Sequence, residues 1–254
     1  MRRALVSSVV LIACAAGLLQ WRAWRTPAGS LPKLVLWAWE RPEDLRFIDP
    51  DEVAVAYLAG TIQLRGDRVE AQPRLQPLAV PPKTRLLAVV RVEPSGADPS
   101  RLSPEQRALA ASAILRLTDR NDLVGTQVDF DARSSERSFY AALLGDLRRQ
   151  LPAGKTLSIT ALASWCLADS WIAGLPIDEA VPMLFRMGPE GAEVRRRLRR
   201  GADFSDRACR ISVGVSTDEP LPRLPYGRRI YVFHPRSWTS TSAANILREV
   251  KSWQ

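Results

Sequence analysis

Eight short, apolar, β-rich runs recur along this chain, and their recurrence limits its fold more than any other feature. They are Leu34 to Trp39, Val53 to Leu58, Arg85 to Val92, Val124 to Asp131, Thr156 to Leu162, Ala180 to Phe185, Ile211 to Ser216 and Ile230 to Phe233. Several are nearly continuous in apolar residues, the pattern of parallel strands buried on both faces. Helix signals follow several of them. Ser103, Pro104 and Gln106 form an N-cap, a proline at the first helical position and a capping-box partner, opening a helix to about Asp119. A second helix is predicted from Ser135 to Gln150, with Phe139, Leu143, Leu144 and Leu147 as its apolar stripe. Shorter ones are predicted at Ala168 to Ala173, Gly188 to Arg200 and Ala243 to Trp253.

This alternation predicts an α/β chain folded as an irregular (β/α)8 TIM-like barrel, a fold of roughly 200 to 250 residues. A doubly wound sheet explains the strand count less well. Two helices are missing from the pattern. After the second run, T-I-Q-L, R-G-D and R-V-E-A read as two extended arms about a glycine turn, and Pro73, Pro77, Pro81 and Pro82 carry the chain onward. The proline-rich D-E-P-L-P-R-L-P-Y-G stands where the seventh helix would be, and a short helical piece is expected near Pro42 to Phe47. Neither G-x-G-x-x-G nor a P-loop occurs, so no nucleotide cofactor is expected.

The first 25 residues read as a signal peptide or N-terminal membrane anchor: Arg2 and Arg3 precede an apolar stretch from Ala4 to Leu19. Three fates are open, namely cleavage after the A-x-A of Ala13 and Ala15, lipidation at Cys14, or retention as an anchor closed by Arg22 and Arg25. Each places the mature chain outside the cytoplasm, in the periplasm or cell envelope. Residues 26 to 33 are a linker and residues 34 to 254 the barrel. The formal net charge of +9 favours anionic envelope polymers or lipids. Export argues against nucleic acid, as does the basic run E-V-R-R-R-L-R-R, which lacks interleaved aromatics and reads as a solvated helix face. Without Cys14, two cysteines remain. Cys166 and Cys209 could pair in an oxidising compartment, yet the predicted strands put them at opposite ends of the barrel. No metal site is expected: metal-type C-x-x-C spacing is absent, and the only histidine is His234.

The fourth run carries the chemistry. In V-G-T-Q-V-D-F-D, period-two alternation places Gly125, Gln127, Asp129 and Asp131 on one face. Two carboxylates on one face of a strand are costly to bury, and an open strand end supplies the water, cations or donors they need. The C-terminal ends of barrel strands, where such sites lie, also carry Glu40, Arg91, Glu93, Trp165, Arg186 and His234. Carboxylates beside Trp39 and Trp165 suit a glycan, since flat rings stack on sugars while acids bind hydroxyls or transfer protons. The predicted catalytic pair is Asp131 as general acid with Asp129 tuning it. Glu40, Trp39, Arg91, Glu93, Gln127, Trp165, Arg186 and His234 are the predicted substrate contacts. A barrel that binds a glycan or envelope component without turning it over is the alternative.

The fourth run resembles the D-G-x-D-x-D-x-E signature of chitinase-like family-18 glycoside hydrolases, with Gly125 on the glycine, Asp129 on the last aspartate and Asp131 on the catalytic glutamate. Val124 and Gln127 replace the other aspartates. M-L-F-R resembles that family's M-x-Y-D, with Phe185 for the tyrosine and Arg186 for the aspartate. Across the mature chain, L-S-I-T-A-L-A-S-W and D-E-A-V-P-M-L-F-R-M-G resemble a bacterial exported family, domain-of-unknown-function family 3142. That resemblance implies a glycosidase-like barrel and no particular activity.

Overall fold

The computed structural model describes residues 31–252 apart from 168, 170 and 221–226. The predicted export segment, Cys14 and most of the linker lie outside the described residues, as does much of the proline-rich stretch before the last strand. Among the described residues no helix is long and apolar enough to cross a membrane.

The strands, in chain order, are β1 (Leu34–Ala38), β2 (Glu43–Asp44), β3 (Val53–Arg65), β4 (Arg68–Pro73), β5 (Leu78–Ala79) and β6 (Leu86–Pro94). They continue with β7 (Leu123–Asp129), β8 (Thr156–Leu162), β9 (Glu179–Met183), β10 (Ser212–Ser216) and β11 (Arg229–Phe233). Five helices accompany them among the described residues: α1 (Pro104–Leu117), α2 (Arg137–Gln150), α3 (Ala163–Leu167), α4 (Gly191–Arg199) and α5 (Ser240–Ser252). Parallel pairing runs β1, β3, β6, β7, β8, β9, β10, β11 and back to β1, where Leu34 sits beside both Val53 and Ile230. This ring is a closed eight-stranded parallel barrel with helices between strands, the (β/α)8 architecture expected from the sequence.

The irregularities follow local chemistry. The hairpin forms as predicted, but its first arm is not a separate element: β3 runs unbroken to Arg65 and pairs antiparallel with β4. The helical piece expected at Pro42 to Phe47 is instead extended. Glu43 and Asp44 pair with Leu78 and Ala79, and Glu43 is fixed by the Trp238 amide, which donates to its Oε2 at 2.9 Å. The helix expected at Ala168 to Ala173 does not form there: a helix, α3, stands before it, directly at the end of β8, Trp171 to Gly174 make a turn, and residues 168 and 170 lie outside the described residues. On α1 the Ser103 cap is present, with the Gln106 amide donating to its Oγ at 3.1 Å. Gln106 does not close the box. Its side chain accepts from Leu102 N at 2.8 Å and donates to Gly66 O and Arg68 O, tying the helix to the hairpin turn.

Cys166 and Cys209 are joined by a disulfide, with Cα atoms 5.9 Å apart. The predicted strand ends hold; what the sequence concealed is the layer outside them. The short α3 and the turn at Ala208–Arg210 both pack against β9, and Ser205 donates to Cys166 O through N at 2.8 Å and through Oγ at 3.0 Å. The segment before β10 therefore lies over the barrel's outer face beside α3.

Two cores result. The larger lies between the sheet and its helices, and the smaller fills the barrel with Val35, Trp37, Ala54, Ala56, Leu87, Val89, Val181 and Tyr231. Two close approaches need glycine. A Cβ at Gly125 would stand 2.2 Å from Thr156 O, and one at Gly214 would stand 2.8 Å from the Trp37 ring. The interior also holds a polar chain. Trp37 Nε1 donates to Gln127 Oε1 at 3.0 Å, Gln127 Nε2 to Ser158 Oγ at 3.0 Å, and Ser158 Oγ to Glu179 Oε2 at 3.2 Å. Glu179, fully buried, also accepts from Tyr231 OH at 2.8 Å and pairs with Arg229.

Candidate active site

The barrel opens at the C-terminal ends of its strands into a cleft of about 490 Å³. Its polar lining comes from the loop after β1 (Glu40, Arg41), from β6 (Arg91), from β7 and its end (Asp129, Asp131), from β8 and the residues after it (Thr160, Ser164), and from Arg186 and Glu190 beyond β9. Trp37, Trp39, Phe185 and Phe233 supply its aromatic surface. Phe185 and Phe233 stack with centroids 5.8 Å apart, and Trp39 meets Phe233 edge-on. A smaller hollow of about 310 Å³, lined by Glu93 and Pro94, shares Arg91, Asp129 and Asp131 with the main cleft. The two acids thus stand where the cavities meet.

Asp129 is the last residue of β7, its side chain half-buried beside Arg91 of β6. Thr160 Oγ1 donates to its Oδ1 at 2.6 Å. Burial pushes the Asp129 carboxyl up to about 6; the Asp131 and Glu93 charges push the same way, while the Thr160 bond and Arg91 oppose them. Asp131 lies more open, past the strand, and its carboxyl is also raised, by burial against the pull of Arg91. The Tyr140 hydroxyl is pushed well above its ordinary value by burial and by the charges of both aspartates. Tyr140 packs against Phe130 and donates to Val128 O at 3.3 Å, fixing the backbone immediately before Asp129.

Arg91 organises the remaining carboxylates. Its Nη1 lies 3.5 Å from Glu40 and its Nε 3.0 Å from Glu93, bringing groups from β1 and β6 together. The loop carrying Trp39 and Glu40 is pinned from below by Arg74, which donates to Ala38 O, Trp39 O and Arg41 O. Arg41 closes the gap to the last strand by donating to Pro235 O.

No family model matches this chain. The resemblance to domain-of-unknown-function family 3142 is thus not shown by one, and no curated protein matches the chain either. Among solved structures it is similar to a chitinase from Rhizomucor miehei at 12% identity, covering 77% of this chain and 72% of that one with a TM-score of 0.46. It is also similar to a fungal endo-β-N-acetylglucosaminidase of glycosyl hydrolase family 18, at 15% identity over 88% and 87% of the two chains with a TM-score of 0.45. A third is the spore cortex-lytic enzyme of Bacillus cereus, at 16% identity over 84% of this chain and 57% of that one, with a TM-score of 0.44.

Of the residues predicted from sequence, the structure gathers Glu40, Trp39, Arg91, Asp129, Asp131 and Arg186 at the cleft, with Glu93 in the adjoining hollow. Three are placed elsewhere. Gln127 is fully buried one turn of the pleat below Asp129, spending its amide on Trp37 and Ser158 inside the barrel. Trp165 is turned under the barrel rim by the winding of α3 and packs edge-on to Trp171, with Arg137 over its ring. His234 faces away from the cleft, its Nδ1 bonded to Thr217 Oγ1 and its ring against Trp238. Burial and the neighbouring Arg236 and Arg41 charges lower its pKa. Thr160, Arg41 and Phe233 were not predicted. Thr160 was accessible to the same reasoning as Asp129, because the alternation Ser158, Thr160, Leu162 points one face of β8 into the barrel.

Proposed function

We propose that this chain is an extracytoplasmic glycoside hydrolase-like barrel acting on a polysaccharide or other glycan, with Asp131 as general acid. One observation carries the reading: the half-buried Asp129, its pKa pushed up to about 6, stands beside a rim aspartate in an aromatic-walled cleft. Burial and like charge keep a proton on the pair at pH values where free carboxylates have lost theirs. Thr160 occupies Asp129 Oδ1, leaving Oδ2 free of that bond. Asp131, the more open group, would meet the glycosidic oxygen and give it the proton the pair holds, leaving both carboxylates charged beside Arg91. Coupled acids of this kind titrate as a pair. Glu40 and Glu93, both held by Arg91, are the available second carboxylates for activating water or stabilising developing positive charge on the sugar. Trp39, only partly buried at the cleft, offers a face for a sugar ring. The disulfide supports an oxidising compartment outside the cytoplasm.

A second reading, binding without turnover, is favoured by Phe185 and Arg186, which replace the tyrosine and aspartate of the family-18 strand-six motif. A panel of envelope and plant polysaccharides, assayed in parallel for binding and for release of reducing ends, separates the two. Hydrolysis predicts that Asp131→Asn abolishes release and spares binding, whereas Trp39→Ala weakens both. Binding by the wild type with no release from any member would support the second reading.

A further inference from the structure

The cleft carries charges of both signs, with Glu40, Arg41, Arg91, Arg186 and Glu190 lining it beside the aspartate pair. Asp129 and Asp131 lie at the end of β7 beside Arg91, and Arg186 lies two strands away beyond β9. Arg186 is held in an unusual way. Its φ of 50° is in the left-handed region that a side chain with a Cβ disfavours. Its amide donates to Glu219 Oε1 at 2.8 Å, a carboxylate that Arg195 also grips at 3.0 Å. This clamp fixes the backbone while the guanidinium remains largely exposed, 4.9 Å from the centre of the Phe233 ring. Among the described residues its ion-pair partner is Asp218, at 3.7 Å and half-exposed, and Asp218 already accepts from Ser216 Oγ. A strained arginine, held over an aromatic ring and weakly paired, keeps its donor fork for something else.

We propose that Arg186 is a specificity-determining residue that takes the carboxylate of an acidic sugar, so that the glycan acted on carries uronic-acid-type units. The inference rests on the glycan reading above and deepens it. A sugar ring seated in the cleft against Trp39 can turn a substituent toward the exposed guanidinium, and a carboxylate is the planar anion that an arginine fork binds through two parallel bonds. The reacting bond would then lie toward Asp131, and the net charge of +9 favours association with acidic polymers.

The test uses pairs of polymers differing only in charge: polygalacturonate, alginate and hyaluronan, each against its carboxyl-reduced form, with a sulfated and desulfated pair as a separate arm. Binding to the full chain is measured at pH 7. At least one acidic polymer should bind ten-fold or more tightly than its reduced twin. Arg186→Gln should bring that ratio near one, while Arg199→Gln, which removes the same charge from the exposed face of α4, should leave it intact. Arg186→Gly keeps the amide bond to Glu219 and relieves the φ of 50°, so it should lose the ratio without melting lower. Equal binding of every pair by the wild type, or a ratio that survives both Arg186 variants, overturns the proposal. A larger ratio for the sulfated pair also overturns it, in favour of a sulfate site. Because the readout is binding, failure of the hydrolytic reading leaves this result unaffected, and hydrolysis of neutral glycans alone would refute acid recognition while sustaining hydrolysis.

Discussion

At the residue scale the account rests on Asp129, whose titration has a signed consequence for stability. Its folded pKa of about 6 lies above the ordinary value of 3.8. Between those values the folded chain keeps a proton that the unfolded chain has released, so the stability contributed by this group falls as pH rises from about 4 to about 6. Below 4 the penalty is absent; above 6 it is complete, at about 3 kcal/mol for a shift of this size. Asp129→Asn keeps an acceptor for Thr160 and removes the charge. It should match the wild type at pH 4 and exceed it by about 1–3 kcal/mol at pH 7, as read by urea denaturation at both pH values. A difference independent of pH would assign Asp129 an ordinary pKa. The pair itself was legible in the sequence, because period-two alternation alone sets Asp129 and Asp131 on one face. Gln127 shares that face yet is not at the cleft, since alternation reports the side of a strand and not the depth inside the barrel. Arg186 was legible as a strand-end charge; its left-handed backbone and the Glu219 clamp depend on a loop from another strand.

At the element scale, sequence and structure agree where local signals suffice. The Ser103 cap, the α2 stripe and the hairpin about Gly66 all form, each depending on neighbours within a few residues. They part where a distant partner decides. Glu43 is drawn into an extended bridge by the Trp238 amide, and α3 starts directly at the end of β8 with its outer layer packed on β9. Trp165 changes role for that second reason: helical winding from Ala163 turns its ring toward Trp171 and away from the opening. The disulfide joins this same layer, closing a sequence separation of 43 residues. Replacing both cysteines by serine should cost about 2–4 kcal/mol, measured by urea denaturation of the oxidised wild type against the variant. The loss should be matched by adding reductant to the wild type. An unchanged midpoint would mean that the outer layer is held by packing alone.

At the scale of the whole molecule, one buried carboxylate links the barrel's interior to its floor and its chain entry. Glu179 accepts from Ser158 and Tyr231 and pairs with Arg229, whose Nε donates to Pro32 O at 3.2 Å. Removing it strands a buried guanidinium, so Glu179→Ala should destabilise the chain by about 3–5 kcal/mol. Thermal denaturation would check this, and a loss below about 1 kcal/mol would show that water replaces the carboxylate. The closed ring was legible because eight buried parallel strands leave few alternatives. The polar chain inside it was not, since it joins residues as far apart as Trp37, Gln127, Glu179 and Tyr231.

The central claim, that the aspartate pair at the end of β7 performs acid chemistry on a glycan, is tested most directly by the rate of reducing-end release from pH 4 to pH 8 in the wild type and Asp131→Asn. The account predicts a wild-type rate that falls as pH rises through about 6 and a loss of about 100-fold or more in the variant. A variant that turns over at the wild-type rate across that range would contradict it.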